Sequence, residues 1–478
     1  MFKEIKILYG PKFATTIVYI LQSSEYKTGD YLQWFYRITS FSRVEYRRQL
    51  VRTKAARLLL LAIRTGIILN WLSILWLIYF GIVNYNLLYI VAGITLLLAI
   101  PLIWGHLILL PFLIGGILIK PSHNRRIANS AEALKEHKAT IIAVAGSYGK
   151  TSMKEMLYVM LGSEKKVTAT SGNQNVPISH SRFAEGLDGD EDILIIEYGE
   201  GAPGDIEKFA KNTHPGVAII TGLAPAHLNR YKTLDAAAKD IFSLRKFIPK
   251  NDLYINSESE PIKKYLHSDD QTYSESGVLG WSVSNIKNSL TGLEFKMSKG
   301  KLVINIKSGL IGKHLVGPIA LAAALSHKLG VGIKNIEAAS AALKPYEHRM
   351  QPYALADAWI IDDTYNGNIE GMRAGLELLS QLPAKRKIYV TPGLVDQGEE
   401  TKNVHIKLGS LIATANPDKV VLMKHSVTKY IEKGLNENGY QGEVIIEDLP
   451  LEFYNNLEHW VAAGDLVLMQ NDWTDNYN

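Results

Sequence analysis

At 478 residues the chain is too long for one hydrophobic core, and two or three domains are expected. With 47% hydrophobic and 21% charged residues it is globular rather than disordered, and the absence of cysteine excludes disulfides, zinc ribbons, iron–sulfur centres and thiol catalysis together. The net charge of +5 is unevenly spread: residues 1–126 hold 15 Lys/Arg against 4 Asp/Glu, so the rest of the chain is mildly acidic and no nucleic-acid partner is expected for it.

Residues 1–64 read as a basic, aromatic-rich segment, with Ile20–Tyr36 running ILQSSEYKTGDYLQWFY. From Thr65 to Ile119 there is no Asp, Glu, Lys or Arg, enough for two spans of about 20 apolar residues each. Asn84, Tyr85 and Asn86 mark a polar turn, giving one span near 65–83 and a second near 87–105; Leu107–Ile119 is short for a third and suits the membrane interface or a re-entrant piece. Arg37, Arg43, Arg47, Arg48, Arg52, Lys54, Arg57 and Arg64 precede the run, and Lys120, Arg125 and Arg126 follow it. The positive-inside rule puts both flanks in the cytoplasm, so membrane lipids are an expected partner and the cell membrane the expected location.

After Arg126 short β-branched runs alternate with helical patterns: Thr140–Ala145, Asp192–Tyr198, Gly216–Gly222, Trp359–Asp362, Arg386–Thr391, Asp418–Met423 and Asp465–Met469. That alternation predicts an α/β chain with parallel sheets covered on both faces. The series restarts near 335–350, which divides the chain into a helical span region at 65–119, a central domain at 120–345 and a C-terminal domain at 346–478.

Ile141–Ser152 reads IIAVAGSYGKTS, an apolar strand entering a glycine turn and then a helical stretch. Gly146, Ser147, Gly149, Lys150, Thr151 and Ser152 can close backbone N–H groups around phosphate oxygens, with Lys150 as counter-charge and the Thr151 hydroxyl on Mg²⁺. Val144 stands where the common P-loop has its first glycine, so the spacing here is shorter. Asp192–Gly199 (DILIIEYG) ends a strand in a carboxylate, Glu197, suited to an oxygen-loving cation. Thr221–Asn229 (TGLAPAHLN) carries His227, and Thr170–Pro177 (TSGNQNVP) carries Asn173 and Asn175.

The shorter phosphate-loop spacing, with these motifs in this order, resembles the Mur ligase family over residues 135–475, and within it the MurF-type branch that adds D-alanyl-D-alanine to a UDP-linked muramoyl tripeptide. The resemblance implies a P-loop central domain, a Rossmann-like C-terminal domain, ATP and Mg²⁺ as cofactors, and amide formation through an acyl-phosphate. It implies that Glu197, Thr151 and His227 bind metal. His348-Arg349-Met350-Gln351 resembles the family's junction motif, which sets Arg349 on the ATP phosphates; Arg349 thus joins Lys150 and His227 as expected catalytic residues. Ile360–Asn368 (IIDDTYNGN) resembles the segment whose Asp363, Tyr365 and Asn366 would face the nucleotide.

The chain departs from the family at several positions. Gly222 replaces an asparagine and Ile369 a proline. Asp396-Gln397 replaces Glu-Leu in a loop whose Glu399 fits an amine-substrate role. In Gly312–Pro318 both family asparagines are gone. Counting from His227 to the family's carbamylated lysine lands on Ile241, with Lys239 nearby. No counterpart of the family's small UDP-binding domain is visible in residues 1–130. The expected partners are therefore a cell-wall precursor, UDP-linked or lipid-linked, and an amino acid or dipeptide. A ligase acting on another polymer, or a scaffold that has lost turnover, are the remaining readings.

Overall fold

The computed structural model describes the chain except for Met1, Glu25, residues 39–40, 42–49, 173–174, 226–227, 366, 395–396 and 472–478. The chain divides into two compact units, one ending at His123 and one beginning at Asn124.

The first unit is helical. Helices Phe2–Leu8, Pro11–Ser23 and Thr28–Arg37 precede two long ones, Lys54–Val83 and Leu87–Leu107. The first long helix starts well before the uncharged run, because the Thr53 hydroxyl caps it by accepting from Ala56 N at 3.1 Å. Asn86 caps the second by accepting from Leu88 N at 3.0 Å. Within the hairpin the Trp104 indole donates to Asn70 Oδ1 at 3.0 Å, so neither polar group is left unpaired among apolar neighbours. Phe13, Ile17, Ile20, Tyr31, Leu60, Ile63 and Ile67 form the unit's core. Leu69, Leu72, Leu75, Trp76 and Tyr79 are exposed, an apolar surface that water does not favour. The stretches Ala56–Val83 and Leu87–Ile114 are each long and apolar enough to cross a membrane.

Among the described residues the second unit holds three sheets. The first is parallel, built from β1 (Thr140–Ala145), β2 (Val167–Ala169), β3 (Ile193–Glu197), β4 (Val217–Ile220), β5 (Leu253–Asn256) and β6 (Gln271–Tyr273) in the order β2-β3-β1-β4-β5-β6. Side chains alternate along β1. Ile142 and Val144 join one core with Met153, Leu157 and Leu321, while Ile141, Ala143 and Ala145 join another with Phe209 and Ile241. The C-terminal ends of β1, β3 and β4 are neighbours, so three loops converge where an open α/β sheet binds its ligand.

The second sheet is antiparallel: β7 (Gly277–Val278), β8 (Trp281–Ser289), β9 (Gly292–Lys299) and β10 (Leu302–Ser308). The sequence reading did not anticipate it. The third contains β11 (Gln351–Leu355), β12 (Ala358–Asp363), β13 (Arg386–Thr391), β14 (Lys419–Met423), β15 (Glu443–Glu447) and β16 (Asp465–Gln470), ordered β11-β12-β16-β13-β14-β15. Only β11 runs antiparallel there.

After β12 the helix Ile369–Gln381 is capped by Asn368, whose Oδ1 accepts from Glu370 N at 3.1 Å and Gly371 N at 3.0 Å. The cap starts the helix without the proline, and Ile369 is buried in the core instead. Asn368→Ala should cost about 1 kcal/mol and lower the melting temperature of this domain, read by calorimetry, with no loss of secondary structure at room temperature.

Candidate active site

The turn from β1 into helix Lys150–Leu161 is set by backbone geometry. Gly146 has φ +137°, and a Cβ there would overlap the Thr221 hydroxyl. Gly149 takes φ +76° as the residue before the helix. Ser147 N donates to Gly222 O at 2.8 Å, tying the loop to the end of β4. Gly222 is itself required, because a Cβ at that position would run into the Tyr148 ring. The departure from the family asparagine is thus matched by the aromatic residue inside the phosphate loop. Burial pushes the Tyr148 hydroxyl up to about 12, against the hydrogen bond it makes with Ser259.

Lys150 Nζ donates to Gly146 O at 2.6 Å and to Glu200 Oε2 at 2.7 Å. Thr151 Oγ1 donates to Glu197 Oε1 at 3.2 Å, and Asn175 Nδ2 lies 3.4 Å from the same oxygen. The second carboxylate oxygen, Glu197 Oε2, is buried and accepts no hydrogen bond; its near cation is Lys154 Nζ at 3.5 Å. Lys154 is fully buried and donates to Thr170 O at 2.7 Å and Gly172 O at 2.6 Å. His180 Nε2 sits 2.9 Å from the Glu197 carbonyl, and burial drives the imidazole down to about 4, so it is neutral and donates to that carbonyl. The structure therefore brings together Gly146, Ser147, Gly149, Lys150, Thr151, Ser152, Asn175 and Glu197 around one end of the sheet. Asn173 and His227 lie outside the described residues.

Three participants escaped the sequence reading. Lys154 lies one helical turn beyond Lys150, a spacing that could have flagged it. Glu200 follows Glu197 by three residues and becomes a P-loop neighbour only through the loop after β3. His180 shows no local signal. Lys239 is exposed on its helix, whereas its neighbour Asp240 is buried, accepting from Gly204 N at 2.8 Å and from the Tyr231 hydroxyl at 2.7 Å.

A second cluster gathers at the end of β12. The Arg349 guanidinium lies 4.3 Å from the centre of the Tyr365 ring, a cation–π pair. His348 and Met350, on either side of Arg349, have φ of +61° and +44°, a strained backbone for residues with side chains. It is held by Tyr365 N donating to His348 O at 3.0 Å and by Met350 N donating to Asp363 Oδ1 at 3.2 Å. Gln470 donates to Asp363 Oδ2 at 2.8 Å. Burial raises Asp363 to about 6, partly offset by these donors and by the Arg349 charge. Arg349, Asp363 and Tyr365 are thus together; Asn366 lies outside the described residues. Beside them, Asn471 accepts from Gly367 N at 2.9 Å and donates to Gly393 O, joining the Asp363 loop to the loop that carries Glu399. Glu399 is exposed and Gln397 buried, while Asp396 is outside the described residues.

Two family patterns match the chain: the Mur ligase middle domain over residues 144–326 and the Mur ligase glutamate ligase domain over residues 348–470. The UDP-N-acetylmuramoyl-tripeptide–D-alanyl-D-alanine ligase of Escherichia coli (strain K12) is 28% identical over 326 residues, covering 66% of this chain and 71% of that protein. The protein of the same name from Bacillus subtilis (strain 168) is 23% identical over 342 residues, covering 70% and 74%. Among solved structures, MurF from Acinetobacter baumannii superposes with a TM-score of 0.63 at 20% identity, covering 73% of this chain and 77% of that one. MurF ligase from Thermotoga maritima in complex with ADP gives 0.62 at 23% identity, covering 73% and 80%. These last two establish the shared fold.

Ionised Asp363 opposes folding, since its folded pKa lies above the unfolded one. Its stabilising contribution is present at low pH and falls away as pH rises from the ordinary aspartate range through about 6. Arg349→Gln should raise the Asp363 midpoint further, because it removes the charge that favours the carboxylate. A carbon-13 titration of labelled aspartate in wild type and variant checks this; an unchanged or lower midpoint contradicts it.

Proposed function

The chain belongs to the Mur ligase family, whose members are ATP-dependent, ADP-forming ligases, and we propose that it joins an amine to the carboxylate of a cell-wall precursor at the membrane surface. The observation that carries this reading is the phosphate loop of Gly146–Ser152, with Lys150 at its head and Glu197 hydrogen-bonded to Thr151 at its side. The preferred reaction is that named for its relatives, addition of D-alanyl-D-alanine to UDP-muramoyl tripeptide.

In this proposal the backbone N–H groups of the loop and Lys150 hold the terminal phosphates of ATP. The substrate carboxylate attacks the γ-phosphorus, and positioning with charge neutralisation does most of the work. The residues present fit Mg²⁺: Glu197 offers a buried oxygen with no hydrogen bond, and the Thr151 hydroxyl touches the other oxygen. Glu197 and Thr151 would hold the ion, with His227 as a further ligand, and it would neutralise charge on the phosphates. Arg349 would add its planar fork to the phosphate oxygens, and Asp363, Tyr365 and Asn366 would face the nucleotide. Closure of the C-terminal domain would exclude water from the acyl-phosphate.

Residues 1–123 lie outside both family matches, and their apolar helices support a second reading of the acceptor. A lipid-linked precursor would be concentrated beside a ligase anchored by the hairpin, with the ligase domains in the cytoplasm. Phosphate release by the detergent-purified chain with ATP, Mg²⁺ and candidate pairs separates the readings. Turnover with UDP-muramoyl tripeptide and D-alanyl-D-alanine selects the first, turnover only with other acceptors the second, and ADP binding without turnover on any pair a scaffold. Lys150→Ala should lower turnover by at least about 100-fold; unchanged ATP consumption would overturn the assignment. The expressed chain should resist carbonate extraction from membranes and yield to detergent.

A further inference from the structure

Glu200 stands on the P-loop lysine. The residue is 6% exposed, and its carboxylate lies 2.7 Å from Lys150 Nζ, on the loop that follows the strand carrying Glu197. A carboxylate buried this far needs a cation, and without nucleotide Lys150 is that cation. A terminal phosphate arriving at Lys150 brings greater negative charge than one carboxylate and competes for the same ammonium. The other buried lysine of the site, Lys154, is already spent on two backbone carbonyls and on Glu197. The nearby Tyr231 hydroxyl donates to Asp240 at 2.7 Å. When Lys150 turns to the phosphate, Glu200 loses the ion-pair partner it has among the described residues and stands as a buried carboxylate beside the transferring phosphate.

The reaction brings its own cation to that spot. The amine substrate enters as an ammonium ion and has to come within bonding distance of the acyl carbon attached to this same phosphate. It also has to lose a proton before its nitrogen can attack. We propose that Glu200 is a catalytic residue that receives the ammonium group of the amine substrate and takes one of its protons. The Glu200 carboxylate becomes a carboxylic acid, and the freed nitrogen lone pair forms the C–N bond. The acyl C–O bond to phosphorus then breaks, inorganic phosphate leaves with the bonding electrons, and the second nitrogen proton passes to that phosphate. This inference rests on the ligase reading.

Hydroxylamine tests it, because it is largely unprotonated at neutral pH and traps acyl-phosphates as hydroxamates without needing a base. The full chain and Glu200→Gln are compared with ATP, Mg²⁺ and the pair that the wild type uses, and then with hydroxylamine in place of the amine. The expected result is a loss of about 100-fold in kcat/KM for the amine, with hydroxamate formation close to wild type. ADP binding by calorimetry, retained or tightened in the variant, shows that the site has formed. Equal losses with both nucleophiles, no loss with either, or weakened Mn²⁺ binding by paramagnetic resonance would overturn the proposal, the last by making a metal the partner of Glu200. A wild type that makes neither amide nor hydroxamate with any pair would sink the ligase reading and this inference with it; wild-type turnover with an unselective variant sinks the inference alone.

Discussion

Charge is concentrated at the mouth of the parallel sheet to a degree that only mutual pairing permits. Lys150, Lys154, Glu197 and Glu200 are all withdrawn from water, and each desolvated ion would be costly alone. Two features make the arrangement tenable. Backbone carbonyls of Gly146, Thr170 and Gly172 accept from the lysines, adding fixed dipoles to the ion pairs. The loops that supply those carbonyls are themselves fixed, Gly146 by its positive φ against Thr221 and Thr170 by accepting from Glu197 N at 3.1 Å. A site held this way is fixed by its own ion pairs and backbone dipoles.

The C-terminal cluster follows a different logic. Arg349 is presented on strained backbone, flanked by two side-chain-bearing residues at positive φ. The strain is held by hydrogen bonds from the following loop, with Asp363 accepting from both Met350 N and Gln470. The last residue of β16 and the one that follows it then reach two loops at once. Gln470 fixes the Asp363 carboxylate and Asn471 links Gly367 to Gly393. The loop from Asp363 to Gly367 and the loop that carries Glu399 therefore share one support, and a shift in either is felt by the other.

Most of the parallel architecture was legible because fully buried strands read as short β-branched runs: Thr140–Ala145 and Arg386–Thr391 coincide with β1 and β13. The antiparallel sheet of β7–β10 was not. Its strands carry Lys, Ser and Asn on exposed positions, as in Trp281–Ser289, and their partial alternation is weak beside the apolar runs around them. The phosphate loop was readable because its chemistry is local: glycine, lysine and hydroxyl lie within seven consecutive residues. His180 and Glu200 were not, since each gains its meaning from a partner on another element, and Lys154 offered only its one-turn spacing from Lys150. The extended start of the first long helix at Lys54 was hidden because Lys54, Arg57 and Arg64 lie ahead of the uncharged run yet belong to the helix.

The family departures divide by whether this chain supplies a replacement. Gly222 gives up a polar side chain, but the Tyr148 ring fills the space and its hydroxyl bonds to Ser259, so the loop end is repacked rather than emptied. Ile369 gives up the helix-starting ring, yet Asn368 caps the helix and the isoleucine gains a place in the core. At Gly312–Pro318 the two asparagines give way to Leu315 and Pro318, and Leu315 packs against the core beside the buried Val316. All three changes thus trade polar or conformational specificity for packing. Shape is kept at these positions without the side-chain contact, in contrast to the charged Lys150 and Glu197 and the Thr151 hydroxyl, which all stand in the family's pattern.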